Sequence, residues 1–138
     1  MTVLGKGLTR QDEQLIGAAR KALTEAFVPG RQTVGAAVRG RSGRVHVGVN
    51  LNGIHSPCAE AVALGRAALE KDLPARQMVA VYRRGGRYPV LSPCGNCRQL
   101  LYDHSPRAEV IVRFPGGPVR RLRVTEALPA AYGSFDDD

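Results

Sequence analysis

Two segments of the chain begin alike: Ser56-Pro57-Cys58-Ala59-Glu60 and Ser92-Pro93-Cys94-Gly95-Asn96-Cys97. Serine is a favoured helix N-cap and proline a favoured first helical residue, so each segment predicts a helix start with a cysteine in its first turn. Free backbone amides and the positive end of the helix dipole favour a thiolate there. Cys94 and Cys97, three apart, share one face of their helix. Cys58 belongs to the other helix. A fold that brings the two helix starts together therefore gathers three sulfurs at one point.

Three readings of those sulfurs compete. Three cysteines is an odd number, which does not suit a disulfide scaffold. A Cys-x-x-Cys redox pair is self-sufficient and leaves the echo of "SPC" at Cys58 unexplained. Zinc takes about four ligands and accepts thiolates readily. A structural zinc is normally closed by four protein ligands, and only three cysteines are present. The histidines are His46 in mid-strand, His55 before the second helix and His104 at the end of the third. An open fourth position is the mark of a catalytic zinc, where a water is activated. Glu60, two residues after Cys58, is then a candidate to take and deliver a proton. Taken alone, Glu60 reads equally as an acid placed at a helix N-terminus. A non-catalytic zinc or nucleoside-binding module is the alternative of another class. It needs a fourth ligand, for which His55 is the nearest candidate in sequence.

The periodicities place these segments in an α/β chain. Leu15, Ile16, Ala19, Leu23 and Phe27 recur at helical spacing behind Thr9, a plausible N-cap. Residues 33–50 read as a hairpin turning at Gly40-Arg41-Ser42-Gly43. Further strands are predicted in "QMVAVYR", closed by Gly85-Gly86, in "AEVIVRF" and in "VRRLRV". "TEALPAAYG" reads as a short helical turn stopped by Pro129. The order is helix, strand, strand, helix, strand, helix, strand, strand, short helix. A strand-helix-strand crossover demands some parallel pairing and helices against the sheet. One domain is expected over residues 1–138, with 1–8 and 134–138 as flexible tails.

The chain carries 20 Lys and Arg against 12 Asp and Glu, net +8. Three of those acids are Asp136, Asp137 and Asp138; setting them aside leaves nine acids against 20 bases, or +11. Such a body attracts anions. Its arginine clusters, Arg39, Arg41 and Arg44 and then Arg83, Arg84 and Arg87, lie among only four tyrosines, three phenylalanines and no tryptophan. Single-strand binders stack bases on aromatics, so nucleic acid is disfavoured as a partner. No run of about 18 apolar residues occurs and "MTVLGKGLTR" lacks an apolar core, so a cytoplasmic protein with no membrane partner is expected.

The pair Cys58-Ala59-Glu60 and Pro93-Cys94-Gly95-Asn96-Cys97-Arg98-Gln99 resembles the zinc deaminase signature of the cytidine deaminase family, in its three-cysteine, small-nucleoside branch. The "VN" ending at Asn50, the Cys-Ala-Glu without a following arginine, "LSPCGNCRQLL" and a C-terminal "LPxxY" resemble its blasticidin S deaminase branch most. The likeness runs from the first helix to Tyr132. It implies a three-layer α-β-α sandwich with a five-stranded mixed sheet and helices on both faces. It also implies one zinc per subunit on Cys58, Cys94 and Cys97, with water attack on ring carbon 4 of a cytosine-type ring. Glu60 would shuttle a proton to ring nitrogen 3 and then to the departing amine. The implied substrate is cytidine, deoxycytidine, a blasticidin S-like analogue or a free aminated base. The implied substrate-binding residues are Asn50, Ala59, Thr33, Asn52 and Tyr132, and the implied assembly is a homotetramer. Asn50 also reads as a turn former, and Tyr132 as a core aromatic. Three positions depart from the family's cytidine-binding pattern. Asn52 replaces a sugar-gripping glutamate, Gln32 replaces an aromatic, and Ala61 replaces the arginine that offsets thiolate charge, a role for which Arg98 is the substitute candidate.

Overall fold

The computed structural model describes residues 4–133; the expected tail at 134–138 and residues 1–3 lie outside them. The elements are α1 (Arg10–Ala26), β1 (Val34–Arg39), β2 (Val45–Val49), α2 (Ala59–Leu69), β3 (Gln77–Tyr82), β4 (Val90–Leu91), α3 (Gly95–His104), β5 (Glu109–Arg113), β6 (Val119–Arg123) and α4 (Val124–Ala127). One mixed sheet runs β2-β1-β3-β5-β6, and β4 pairs with β3. Among the described residues only the β3–β5 pair is parallel, joined by the crossover that carries α3.

The sheet has six strands where five are expected. The extra one, β4, is two residues long and follows Pro89, so no alternating pattern marks it. It exists because Gly85 and Gly86, both at positive φ, fold the chain back so that Leu91 and Val90 pair with Ala80 and Val81. The stretch 1–8, expected as a tail, is tied to β6 at Lys6. Lys6 exchanges two backbone hydrogen bonds with Arg121, at 2.8 and 2.9 Å.

Both faces of the central strands are covered, which is why β1 and β3 are apolar almost throughout. Ala37, Val79, Val81 and Ile111 pack beneath α1 with Leu15, Ile16, Ala19 and Leu23. Ala36, Val38, Met78, Ala80 and Val110 face the other way, toward Ala63, Ala67 and Leu101 of α2 and α3. Glycine sets how closely the layers approach. A Cβ on Gly35 would sit 2.6 Å from the Ala19 carbonyl of α1, and one on Gly48 would sit 2.6 Å from the Ala63 amide of α2. Helix α1 begins at a capping box. The Thr9 hydroxyl accepts from the Asp12 amide (3.2 Å), and the Asp12 carboxylate accepts from the Thr9 amide (2.7 Å).

At the far end of β1, buried Asp72 ties α2 to the β1–β2 turn. Its carboxylate lies 2.7 Å from His46 Nε2 and accepts from the Ser42 amide and hydroxyl, each at 2.8 Å. The His46 hydrogen bond, with those from Ser42, holds the carboxyl down at about 2. A carboxylate with a depressed folded value stabilises the fold above its unfolded value near 4 and loses that contribution as pH falls through about 2. Asp72→Asn should therefore lower stability at neutral pH and flatten the pH dependence between about pH 4 and 2. Denaturation midpoints against pH check this; parallel curves for the two proteins would contradict it. No helix among the described residues is long and apolar enough to cross a membrane.

Candidate active site

The two helix starts meet. The sulfurs of Cys58, Cys94 and Cys97 all lie within 4.8 Å of one another, and no fourth His, Asp or Glu joins the group among the described residues. His55 therefore does not close the set. Cys97 is buried, Cys58 half-buried and Cys94 exposed.

The local construction differs from the expected one. Cys58 and Cys94 are themselves the N-caps of α2 and α3, and neither sulfur accepts a cap hydrogen bond. The serines are engaged elsewhere. Ser56 Oγ closes a turn on the Gly53 amide and carbonyl at 2.6 Å, and Ser92 Oγ is 2.9 Å from both the amide and the carbonyl oxygen of Arg113. Each serine thus fixes the chain just before its cysteine, while each cysteine stands at the mouth of its helix.

Glu60 is 4 % exposed, in the first turn of α2 and close enough to Cys97 for the thiol to influence its carboxylate. Burial pushes its pKa up, partly offset by its own backbone amide and by that thiol. Burial likewise pushes the Cys58 and Cys97 thiols up, reinforced by the charges of Cys94 and Glu60. A divalent cation reverses that balance, because a coordinated thiol is deprotonated outright. The geometry fits zinc. Sulfurs about 2.3 Å from a tetrahedral zinc are about 3.8 Å apart, so the trio needs to close by no more than about 1 Å.

Beside the trio opens a cleft of about 310 Å³, lined by Val34, Asn50, Ser56, Pro57, Cys58, Ala59, Glu60, Leu91, Ser92 and Cys94. Of the expected substrate residues, Asn50 and Ala59 reach it. The Asn50 amide is fully engaged: its oxygen accepts from the Thr33 and Val34 amides (2.8 and 2.9 Å), and its nitrogen donates to Thr33 Oγ1 and Asn52 Oδ1 (both 3.0 Å). Asn52 donates in turn to the Gly30 carbonyl at 3.1 Å. Thr33 and Asn52 are thus joined to the cleft through Asn50 and do not line it. Tyr132 is 71 % exposed and not among the cleft residues; its backbone is paired with the Gln99 amide. Gln32 is buried and accepts from the Val28 amide at 2.9 Å. Arg98 donates to the Ala127 carbonyl of α4 at 2.9 Å. Leu91 and Ser92 were not foreseen, because their place in the cleft follows from β4. Leu91 ends that strand, and Ser92 carries the chain from it toward Cys94.

Gly48 sets the height of α2 above the sheet, since a Cβ there would also lie 2.7 Å from the Ala59 carbonyl. Gly48→Ala should lift the start of α2, costing about 1–3 kcal/mol of stability and about tenfold or more in turnover from misplaced groups. Unfolding midpoints and kcat measured together test this; an unchanged kcat would show that α2 keeps its place.

Three sulfurs and a buried carboxylate at the joined starts of two helices, beside a cleft, define a single-zinc hydrolase centre with room for substrate. The sequence profile described as the cytidine and deoxycytidylate deaminase zinc-binding region matches residues 9–113. A blasticidin-S deaminase from Bacillus cereus is 30 % identical over 138 residues, covering 91 % of this chain and 94 % of that protein. A cytidine deaminase from Mycobacterium tuberculosis is 36 % identical over 126 residues, covering 88 % and 90 %. The crystal structure of a cytidine deaminase from the same organism superposes with a TM-score of 0.72 at 31 % identity, covering 88 % of this chain and 97 % of that one. That of a cytidine deaminase from Burkholderia pseudomallei superposes with a TM-score of 0.69 at 30 % identity, covering 91 % and 100 %. The chain belongs to the cytidine deaminase family of zinc-dependent hydrolytic deaminases.

Proposed function

We propose that this chain hydrolyses the 4-amino group of a cytosine-type nucleoside, giving a uracil-type product and ammonia. The observation that carries the reading is Glu60, a buried carboxylate beside the sulfur trio and on the wall of the cleft. Cys58, Cys94 and Cys97 would hold the zinc, which when bound lowers the pKa of water and so makes a nucleophile available at neutral pH. Glu60 takes the proton lost by the attacking water and gives it to ring nitrogen 3. It then carries a second proton from the new hydroxyl to the amine, which leaves from ring carbon 4 as ammonia. Burial keeps this carboxyl's pKa above its ordinary value, which favours alternate taking and giving of protons.

The substrate end of the cleft is framed by Asn50. With its amide engaged by Thr33, Val34 and Asn52, its role is to hold the loop that borders the substrate. Thr33 and Asn52 act through it, while Ala59 borders the cleft directly. Tyr132, exposed on its own subunit, would cover the substrate of a neighbouring subunit in a homotetramer. A reduced three-cysteine site suits a cytoplasmic location.

A second reading, a free aminated base or related heterocycle as substrate, is favoured by Asn52. It offers no carboxylate to a sugar hydroxyl, and its amide nitrogen is bonded to Gly30. Loss of ultraviolet absorbance on cytidine, deoxycytidine, blasticidin S and free cytosine separates the cases. The proposal expects the highest kcat/KM on a nucleoside or its analogue. Turnover of free cytosine alone would overturn it.

A further inference from the structure

The two arginine clusters meet different fates in the fold. Arg39, Arg41 and Arg44 lie at the end of β1 away from the cleft, where they bond to Gln77, Gly43, Gln11, Lys71, Ser42 and Glu70. The second cluster lies at the cleft end of the sheet. Segments 27–34, 50–58, 83–94 and 113–118 gather there and contain Arg31, Arg83, Arg84, Arg87 and Arg113 but no Asp or Glu.

Arg84, Arg87 and Arg113 line one open trench together with Tyr82, Gly85 and Pro89. The trench adjoins the cleft on two sides. Tyr82 is the strand partner of cleft residue Val34, and Arg113 is hydrogen-bonded through its backbone to cleft residue Ser92. Neighbouring strands are about 4.8 Å apart, so the two hollows lie one or two strand spacings from each other. Arg84 and Arg87 face each other across the Gly85-Gly86 turn, with backbone bonds of 2.8 and 3.0 Å. Like charges directly opposite on a hairpin repel, and these segments supply no carboxylate to relieve them. Arg83 is occupied by the Phe27 ring, 4.1 Å from its centroid, and Arg113 Nε by the Val90 carbonyl. Arginine pairs in a fixed fork with the oxygens of a phosphate.

We propose that the trench of Arg84, Arg87 and Arg113 binds the phosphate of a cytosine mononucleotide whose ring occupies the cleft. The proposal rests on the deaminase reading and narrows its substrate. The turn exposes both hairpin arginines, with Arg84 donating to the Tyr82 hydroxyl at 3.5 Å within the same trench, and the basic segments around the cleft mouth draw an anionic substrate to it.

Cytidine, cytidine monophosphate and a short cytosine-containing single strand should be compared on the parent zinc protein, on Arg84→Ala/Arg87→Ala, and on Arg107→Ala. Arg107→Ala removes one exposed charge before β5, at the other end of the sheet. The kcat/KM ratio of monophosphate to nucleoside should be above unity in the parent. It should fall roughly 10- to 100-fold in the double variant, decline with added salt and stay unchanged in Arg107→Ala. Equal use of nucleoside and monophosphate by the parent, or a ratio the double variant does not alter, overturns the trench. A single strand preferred over the monophosphate with the same arginine dependence overturns the mononucleotide assignment. If nothing is deaminated, the deaminase reading fails separately and calorimetry decides the trench. Monophosphate binding weakened by the double variant sustains it, and absent or unaltered binding overturns it.

Discussion

Glu60→Gln should retain zinc at the parent level and lose about a hundred- to ten-thousand-fold in kcat. The change keeps the shape of a side chain that is 4 % exposed and stands outside the sulfur trio, so neither packing nor metal binding has reason to fail. What is lost is the capacity to take a proton from water and release it to the ring and the amine. Because that transfer belongs to the transition state, KM should move far less than kcat. Metal analysis beside steady-state kinetics reads both quantities. A Gln variant that still turns over at near-parental rate would remove Glu60 from the proton path.

Cys97→Ala should abolish stable zinc binding. Cys97 is fully buried, in the first turn of α3, and its sulfur lies within 4.8 Å of those of Cys58 and Cys94. Two thiolates remain, one of them exposed, and affinity should fall by at least about a hundredfold. Turnover should vanish with the metal. Thermal unfolding gives a readout apart from activity, since a ligand bound only to the folded state raises the midpoint by mass action. A chelator should lower the midpoint of the parent and leave that of Cys97→Ala unchanged. A variant that kept its zinc would show that the trio is not the ligand set.

The metal centre was legible in the sequence because its information is local. Two helix starts, each with a cysteine, and a glutamate two residues after one of them require only that the starts meet. The sheet brings them together, and its own pattern was legible in the apolar runs of β1 and β3. The Ser-Pro pairs, read as an N-cap followed by a first helical residue, set the helix starts two residues early, because Ser56 and Ser92 serve a turn and a neighbouring strand and the cysteines are the caps. Strand β4 was hidden because two residues carry no periodicity and its pairing follows from the Gly85-Gly86 turn. The substrate residues were the least legible. Asn50 carries a binding-type side chain, but its hydrogen-bond partners follow from how the loop before β1 and the loop after β2 converge, which no local pattern records. Tyr132 lies beyond the last helix, exposed and paired through its backbone with the distant Gln99 side chain, a placement that no local pattern specifies.

Hydrolysis at ring carbon 4 is the step on which the assigned roles of zinc, Glu60 and the cleft converge. The zinc-loaded protein should be incubated with cytosine-type nucleosides and nucleotides in water labelled with heavy oxygen, with ammonia and product mass followed together. One heavy oxygen in each uracil-type product and one ammonia released per product is the predicted result. A metal-loaded protein that leaves every cytosine ring unchanged would contradict it.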